Sequence, residues 1–108
     1  MARIEISEEN YLKFSDGTRI FTEYSPECCE YNFADFECLD TEAINYDFDT
    51  KSLRFEPTDY GFRFGDKSER MFFVPCYSVQ NGYYSNFIDV YLNDKLVLNG
   101  VECELDLQ

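Results

Sequence analysis

Hydrophobic and polar residues alternate with a period of two along much of this chain. That is the pattern of strands with one buried and one solvated face. Leu53-Arg54-Phe55-Glu56 alternates, and so does Tyr60-Gly61-Phe62-Arg63-Phe64, with Phe62 and Phe64 on one face and Arg63 on the other. Asp16-Gly17 separates Tyr11-Leu12-Lys13-Phe14 from Thr18-Arg19-Ile20-Phe21-Thr22. This predicts a hairpin whose type I′ loop draws its positive φ values from Asp-Gly. Alternation along Thr18 to Tyr24 is only partial, so burial on both faces is expected in places. Arg70 to Tyr77 is apolar and aromatic, and its Pro75 predicts a sheet edge or a strand end.

The C-terminal third reads as a three-stranded antiparallel meander. A long strand over Tyr83 to Leu92 is followed by Asn93-Asp94, then by Lys95 to Leu98. Asn99-Gly100 then leads into Val101 to Leu107, where Val101, Cys103, Leu105 and Leu107 oppose Glu102, Glu104 and Asp106. Helix signals are sparse. Asp40-Thr41-Glu42-Ala43-Ile44 offers an N-cap acid and one or two turns, and Glu27 to Asp40 reads as extended with a bulge or as a short helix. The expectation is a mainly β single domain spanning residues 1–108. It would hold seven to nine short strands as an antiparallel sheet or small sandwich, with at most one short helix.

Composition supports a folded sheet over an acidic disordered tail. Eleven Phe and nine Tyr stand among 44% hydrophobic residues, and acidic disordered chains are poor in aromatics. Twenty-two acids face nine bases, for a formal charge of −13. That exceeds the magnitude of roughly 2–8 that keeps a small domain soluble, and the self-repulsion costs stability. The charge is also segregated. Between Ile20 and Thr50 there is no Lys or Arg, while nine acids occur: Glu23, Glu27, Glu30, Asp35, Glu37, Asp40, Glu42, Asp47 and Asp49. Asp35 with Glu37, and Asp47 with Asp49, have the two-residue spacing that places side chains about 7 Å apart on one strand face. Such a field approaches that of a polyanion and would attract a groove lined with Lys and Arg. Tyr24, Tyr31, Phe33, Phe36, Tyr46 and Phe48 interleave with the acids. Those left exposed, Tyr31 and Tyr46 foremost, are candidate anchors beside the nine carboxylates. An ordinary solvated face over a core is the alternative reading of the same stretch.

The chemistry available is narrow. With no histidine, the commonest general base and His-based nucleophile and metal systems are missing, and no phosphate-binding or EF-hand loop occurs. No enzyme activity and no cofactor are expected. Cys28-Cys29 with Cys38 is a conceivable soft-metal set, but the five cysteines lack zinc-type spacing and read as free thiols of a reducing compartment. Acids beside Cys28 and Cys29 are expected to raise their thiol pKa values and lower their reactivity. Direct nucleic-acid binding is disfavoured by the charge. Arg54, Arg63, Lys67 and Arg70 alternate with Glu56, Asp59, Asp66 and Glu69 and read as salt-bridged strands. No apolar run reaches membrane-spanning length and no signal-peptide core is seen, so a cytosolic, non-membrane protein is expected.

Tyr24-Ser25-Pro26-Glu27-Cys28-Cys29-Glu30-Tyr31-Asn32-Phe33-Ala34-Asp35-Phe36 and Asn81-Gly82-Tyr83-Tyr84-Ser85-Asn86 resemble segments of small acidic proteins of bacteriophages and prophage-like islands. Those proteins share a Cys-Cys-acid segment and a later NGYYS element. The resemblance implies a mobile-element setting and no individual site residue. By analogy of class it implies an inhibitor of host defence, of the anti-CRISPR kind. Its partner would be a basic nucleic-acid-handling protein, a Cas nuclease or its ribonucleoprotein, plugged or decoyed by the acidic stretch. The other expectation carried forward is a structural or accessory phage protein that forms a homo-oligomer, its acids serving solubility.

Overall fold

A computed structural model describes residues 1–24, 30–80, 82 and 84–107. The first part of the chain supplies β1 (Ile4–Glu8), β2 (Tyr11–Phe14), β3 (Arg19–Glu23) and β4 (Tyr31–Ala34). A 3₁₀ turn at Phe36–Cys38, the helix α1 (Thr41–Ile44) and a second 3₁₀ turn at Thr50–Ser52 follow. The remainder is β5 (Arg54–Thr58), β6 (Gly61–Gly65), β7 (Phe72–Gln80), β8 (Phe87–Leu92), β9 (Lys95–Glu102) and β10 (Glu104–Leu107). One sheet runs β1-β2-β3-β8-β9 and the other β10-β7-β6-β5, with β4 also paired to β7. The protein is therefore mainly β, and among the described residues it has one short α-helix and ten strands where seven to nine were expected.

Alternation places the core. Leu12, Phe14, Ile20, Ile88, Val90 and Val101 turn inward from the first sheet, and Phe62, Phe64, Phe72, Val74, Cys76 and Ala34 from the second. They form one cluster between the sheets. Its centre is Phe48, which belongs to neither sheet. Its ring lies 5.2 Å from Phe14 of the first sheet, and 5.6 and 5.5 Å from Phe64 and Phe72 of the second. Reciprocal backbone hydrogen bonds to Ala2, of 2.9 and 2.8 Å, hold it there. Asn10 makes a second tie between sheets. It sits in the β1–β2 turn at φ 65°, a left-handed conformation that asparagine tolerates. Its side-chain oxygen accepts hydrogen bonds from the Thr22 hydroxyl on β3 and the Ala34 amide on β4.

The inner face of the second sheet becomes polar at one end. Asn32, Ser78 and Gln80 are buried and bond one another: the Ser78 hydroxyl donates to Asn32, and the Gln80 amide to Ser78. Both amide side chains also donate to the Ser85 carbonyl, and Gln80 accepts from the Tyr84 amide. Buried polar groups hold when each finds a partner, and here they fasten the segment entering β8.

Several local expectations change. The β2–β3 loop is not type I′, because only Gly17 has positive φ, at 92°. Gly17 N–H bonds the Phe14 carbonyl and Phe14 N–H the Thr18 carbonyl, which is a type I turn closed by a glycine bulge. Strand β3 is not buried on both faces: Ile20 and Thr22 are buried and its other side chains are not. The strand before Asn93 begins at Phe87, since Tyr84 and Ser85 are held by the polar network. Pro75 lies inside β7, the strand with three partners, because β7 changes partner there. Its carbonyl accepts the Asp35 amide, while the next residue, Cys76, bonds the Tyr60 carbonyl. The missing proline N–H therefore falls where the pairing with β4 has ended.

The C-terminal meander is overturned. Asn99-Gly100 lies inside β9 as an irregularity. Gly100 is at φ 80° and its amide bonds the Asp89 carboxylate. With no chain reversal there, the segment runs on past buried Cys103, and β10 joins the other sheet parallel to β7.

Phe48→Ala should lower the unfolding free energy by about 3–5 kcal/mol, measured by urea denaturation, while Phe48→Leu should retain most of it. Equal stability of Phe48→Ala and the parent would show that the ring does not bridge the sheets.

Candidate functional site

The eight described acids of the base-free stretch fall into two groups. Glu42, Asp47 and Asp49 lie on the side where the chain returns toward its N-terminus, and each meets a base from elsewhere. Asp47 pairs with Arg3 at 2.9 Å, Asp49 with Lys67 at 3.5 Å, and Glu42 with Arg70. Asp49 also caps the Thr50–Ser52 turn, and Asp40 caps α1 by accepting the Ala43 amide at 3.1 Å. Tyr46 is no exposed anchor: its ring packs on Phe48 and Phe72, and its hydroxyl bonds Ser68 at 2.8 Å and Asp66 at 3.4 Å.

The bases between Arg54 and Arg70 thus do not simply pair with the acids interspersed among them. Arg63 meets Glu56, but Lys67 and Arg70 reach back to the acidic stretch, and Arg54 donates to the Asp66 and Ser68 carbonyls. Asp66 is only 3% exposed. Burial pushes its carboxyl up, but hydrogen bonds from the amides of Asp49 and Ser68 and from the Ser68 and Tyr46 side chains outweigh it, leaving it below the ordinary carboxylate range.

The second group lies along β3, β4 and the following turn. Glu23 is exposed at the end of β3, opposite Asp89 of β8, a like-charge pairing that costs stability. The Glu30 carbonyl accepts the Tyr24 hydroxyl just before β4. Tyr31 is exposed at the start of β4, and its hydroxyl donates to Glu9 at 2.5 Å. That bond, with burial and the nearby charge, raises the phenol to about 12. Asp35 follows β4 and stands opposite Glu9 in an isolated bridge. It caps the Phe36–Cys38 turn through the Glu37 amide and accepts the Cys38 thiol at 2.9 Å. Glu37 is exposed. Glu27, with Cys28 and Cys29, lies outside the described residues.

Tertiary structure adds members the base-free stretch could not contain. Glu9 arrives from the β1–β2 turn, and Glu104 from β10, where it is in register with Tyr77. Burial, then the neighbouring Cys38, Asp35 and Glu104, push the Tyr77 phenol up. The Glu102–Asp106 alternation had marked Glu104 as polar-facing, but the meander placed it on the wrong sheet. None of the six ion pairs among the described residues involves Glu9, Glu23, Asp35, Glu37 or Glu104.

Among the described residues no group of three or more Cys, Asp or Glu side chains is arranged to hold a metal ion, and no helix is long and apolar enough to cross a membrane. Cys38 is exposed, yet its hydrogen bond to Asp35, then burial and the charges of Asp35 and Glu37, raise its thiol to about 11. Cys76 is buried, and the adjacent Cys103 sulfur and burial hold its thiol up as well. These are conditions for poor thiolate nucleophiles. No family model, curated protein or solved structure matches the chain.

Two outcomes follow. Cys38 should alkylate at neutral pH about a hundredfold more slowly than a free cysteine, read peptide by peptide by mass spectrometry, and Asp35→Asn should accelerate it at least about tenfold. An unhindered Cys38 in the parent would refute the Asp35 bond. Asp66 contributes stability that is present above the unfolded carboxyl value of about 3.9 and is lost as pH falls through its lower folded value. Asp66→Asn should therefore cost about 1–3 kcal/mol at neutral pH and flatten the fall in stability below about pH 4, measured by denaturant titration across pH.

Proposed function

We propose that this protein is a non-catalytic inhibitor that binds a basic nucleic-acid-handling protein through its surplus carboxylates. The observation that carries this reading is the imbalance of charge: nine bases face twenty-two acids. Where the fold brings bases to the acidic stretch, they gather at Glu42, Asp47 and Asp49. Glu23, Asp35 and Glu37 have no ion pair among the described residues. The binding group is accordingly narrowed, among the described residues, from the eleven residues read in the sequence to Glu23, Asp35, Glu37 and the exposed Tyr31, joined by Glu9 and Glu104, while Glu27 lies outside the described residues.

A fixed negative field of this kind accelerates encounter with a positive groove and favours it over other partners. The resemblance to bacteriophage and prophage proteins makes a Cas effector the target to test first, with the acidic face occupying its nucleic-acid channel. Phosphate is repelled by the same field, so the effector protein, not its guide, is the surface engaged.

Inhibition of a purified Cas effector ribonucleoprotein should require association that slows at least about tenfold when salt rises from about 50 to about 300 mM. Replacing Glu23 and Glu37 by Gln, both exposed and outside the hydrogen-bonded caps, should slow association further while the circular dichroism spectrum is unchanged. Inhibition indifferent to salt and to both substitutions would exclude the electrostatic mechanism.

A further inference from the structure

The outward face of the second sheet combines aromatic rings with carboxylates in a way the base-free stretch does not explain. Along β7 the even-numbered residues from Phe72 to Gln80 are buried and the odd-numbered ones are not. On β4, Asn32 and Ala34 point inward, so Tyr31 and Phe33 point out. Phe33 stands opposite Tyr77 and Tyr31 opposite Val79. Three rings therefore form a row, with centroids 5.1 Å apart from Tyr31 to Phe33 and 5.5 Å from Phe33 to Tyr77. Tyr31 is 42% exposed, and Phe73, farther along the same face of β7, is 46% exposed.

Acids border the ring row. Glu9 bonds the Tyr31 hydroxyl. Glu104 is in register with Tyr77, and Asp35, which is bridged to Glu9 and follows β4, is itself followed by exposed Glu37. Neither β4, β7 nor β10 contains a Lys or Arg.

We propose that this face of β4, β7 and β10 is the docking surface for an arginine-rich segment of a basic protein. The inference rests on the binding role proposed above and gives that role its location. Arginine suits the face better than lysine. Its planar guanidinium stacks on an aromatic ring while its fork of donors reaches a carboxylate beside that ring. Rings supply apolar area at small conformational cost, and carboxylates bordering the row fix the position of the segment. Charge decides between this occupant and others. A second copy of the chain would bring another −13 and the same carboxylates to the contact, and nucleic acid would bring phosphates; both are repelled.

The test uses an oligo-arginine peptide as the probe, titrated into the isotope-labelled full chain and followed by amide chemical shifts at about 50 mM salt. An oligo-glutamine peptide serves as the control. The expected result is a set of shifts concentrated at Tyr31, Phe33, Tyr77 and Glu104. Affinity should fall at least about tenfold in Phe33→Ser, and by a similar factor in Glu104→Lys, which leaves the rings in place and guards against a misfolded Phe33 variant. Shifts centred on Glu42, Asp47 and Asp49, or affinity unchanged in both variants, would overturn this surface while the acidic-binding role stands. No binding of the arginine peptide would overturn that role and this surface with it. A stable dimer by light scattering that Phe33→Ser disperses would overturn the proposal by assigning the face to a second copy.

Discussion

The fold depends on one side chain that belongs to no sheet. Two sheets facing each other need a filled interior, and aromatic rings fill it best when they meet edge to face or offset. Phe48 does this from the irregular segment between α1 and the Thr50–Ser52 turn, touching Phe14 on one side and Phe64 and Phe72 on the other. Its backbone is clamped to Ala2, so the ring also fixes where the acidic stretch crosses the molecule. Arg3 meets Asp47 only because Ala2 meets Phe48. The same packing orients Tyr46, whose hydroxyl helps satisfy buried Asp66. Core packing and local charge neutralisation are thus one arrangement on this side of the protein.

On the other side the constraints are polar. Asn10 joins β3 to β4 through its side chain, and the bonded set of Asn32, Ser78 and Gln80 holds the segment that enters β8. Because β4 is tied by these inward contacts, Tyr31 and Phe33 are held on its outward side. Side chains placed before an encounter need little ordering on binding, a property the proposed docking surface would require.

The charge distribution has a physical division of labour. Acids near Phe48 cap helical turns and receive the bases reaching them, and their contribution is mainly to local structure. Glu9, Glu23, Asp35, Glu37 and Glu104 form no ion pairs among the described residues and leave a field directed at solvent. A like-charge pairing such as Glu23 against Asp89 costs folding free energy. The acidic face is therefore a feature that stability alone would not produce, which is the ground for reading it as functional.

The amino-acid sequence by itself determined what neighbouring residues decide together. Period-two alternation marked β5, β6 and the inward Phe62 and Phe64. Asp40 announced the start of α1, Asp16-Gly17 marked a hairpin, and the missing bases between Ile20 and Thr50 were visible on inspection. These properties depend on backbone geometry over a few residues, so local composition encodes them. Only the tertiary structure decided which strand each alternating segment joins. Val101 to Leu107 alternates equally well as a third meander strand or as a parallel partner of β7. What settled it was the bulge at Gly100 and the buried seat of Cys103 beside Cys76, both products of distant contacts. That choice carried Glu104 to Tyr77, just as packing around Phe48 carried Arg3, Lys67 and Arg70 to the acids they neutralise. Local periodicity states which face is buried; which chain lies alongside is settled by how the whole interior fills.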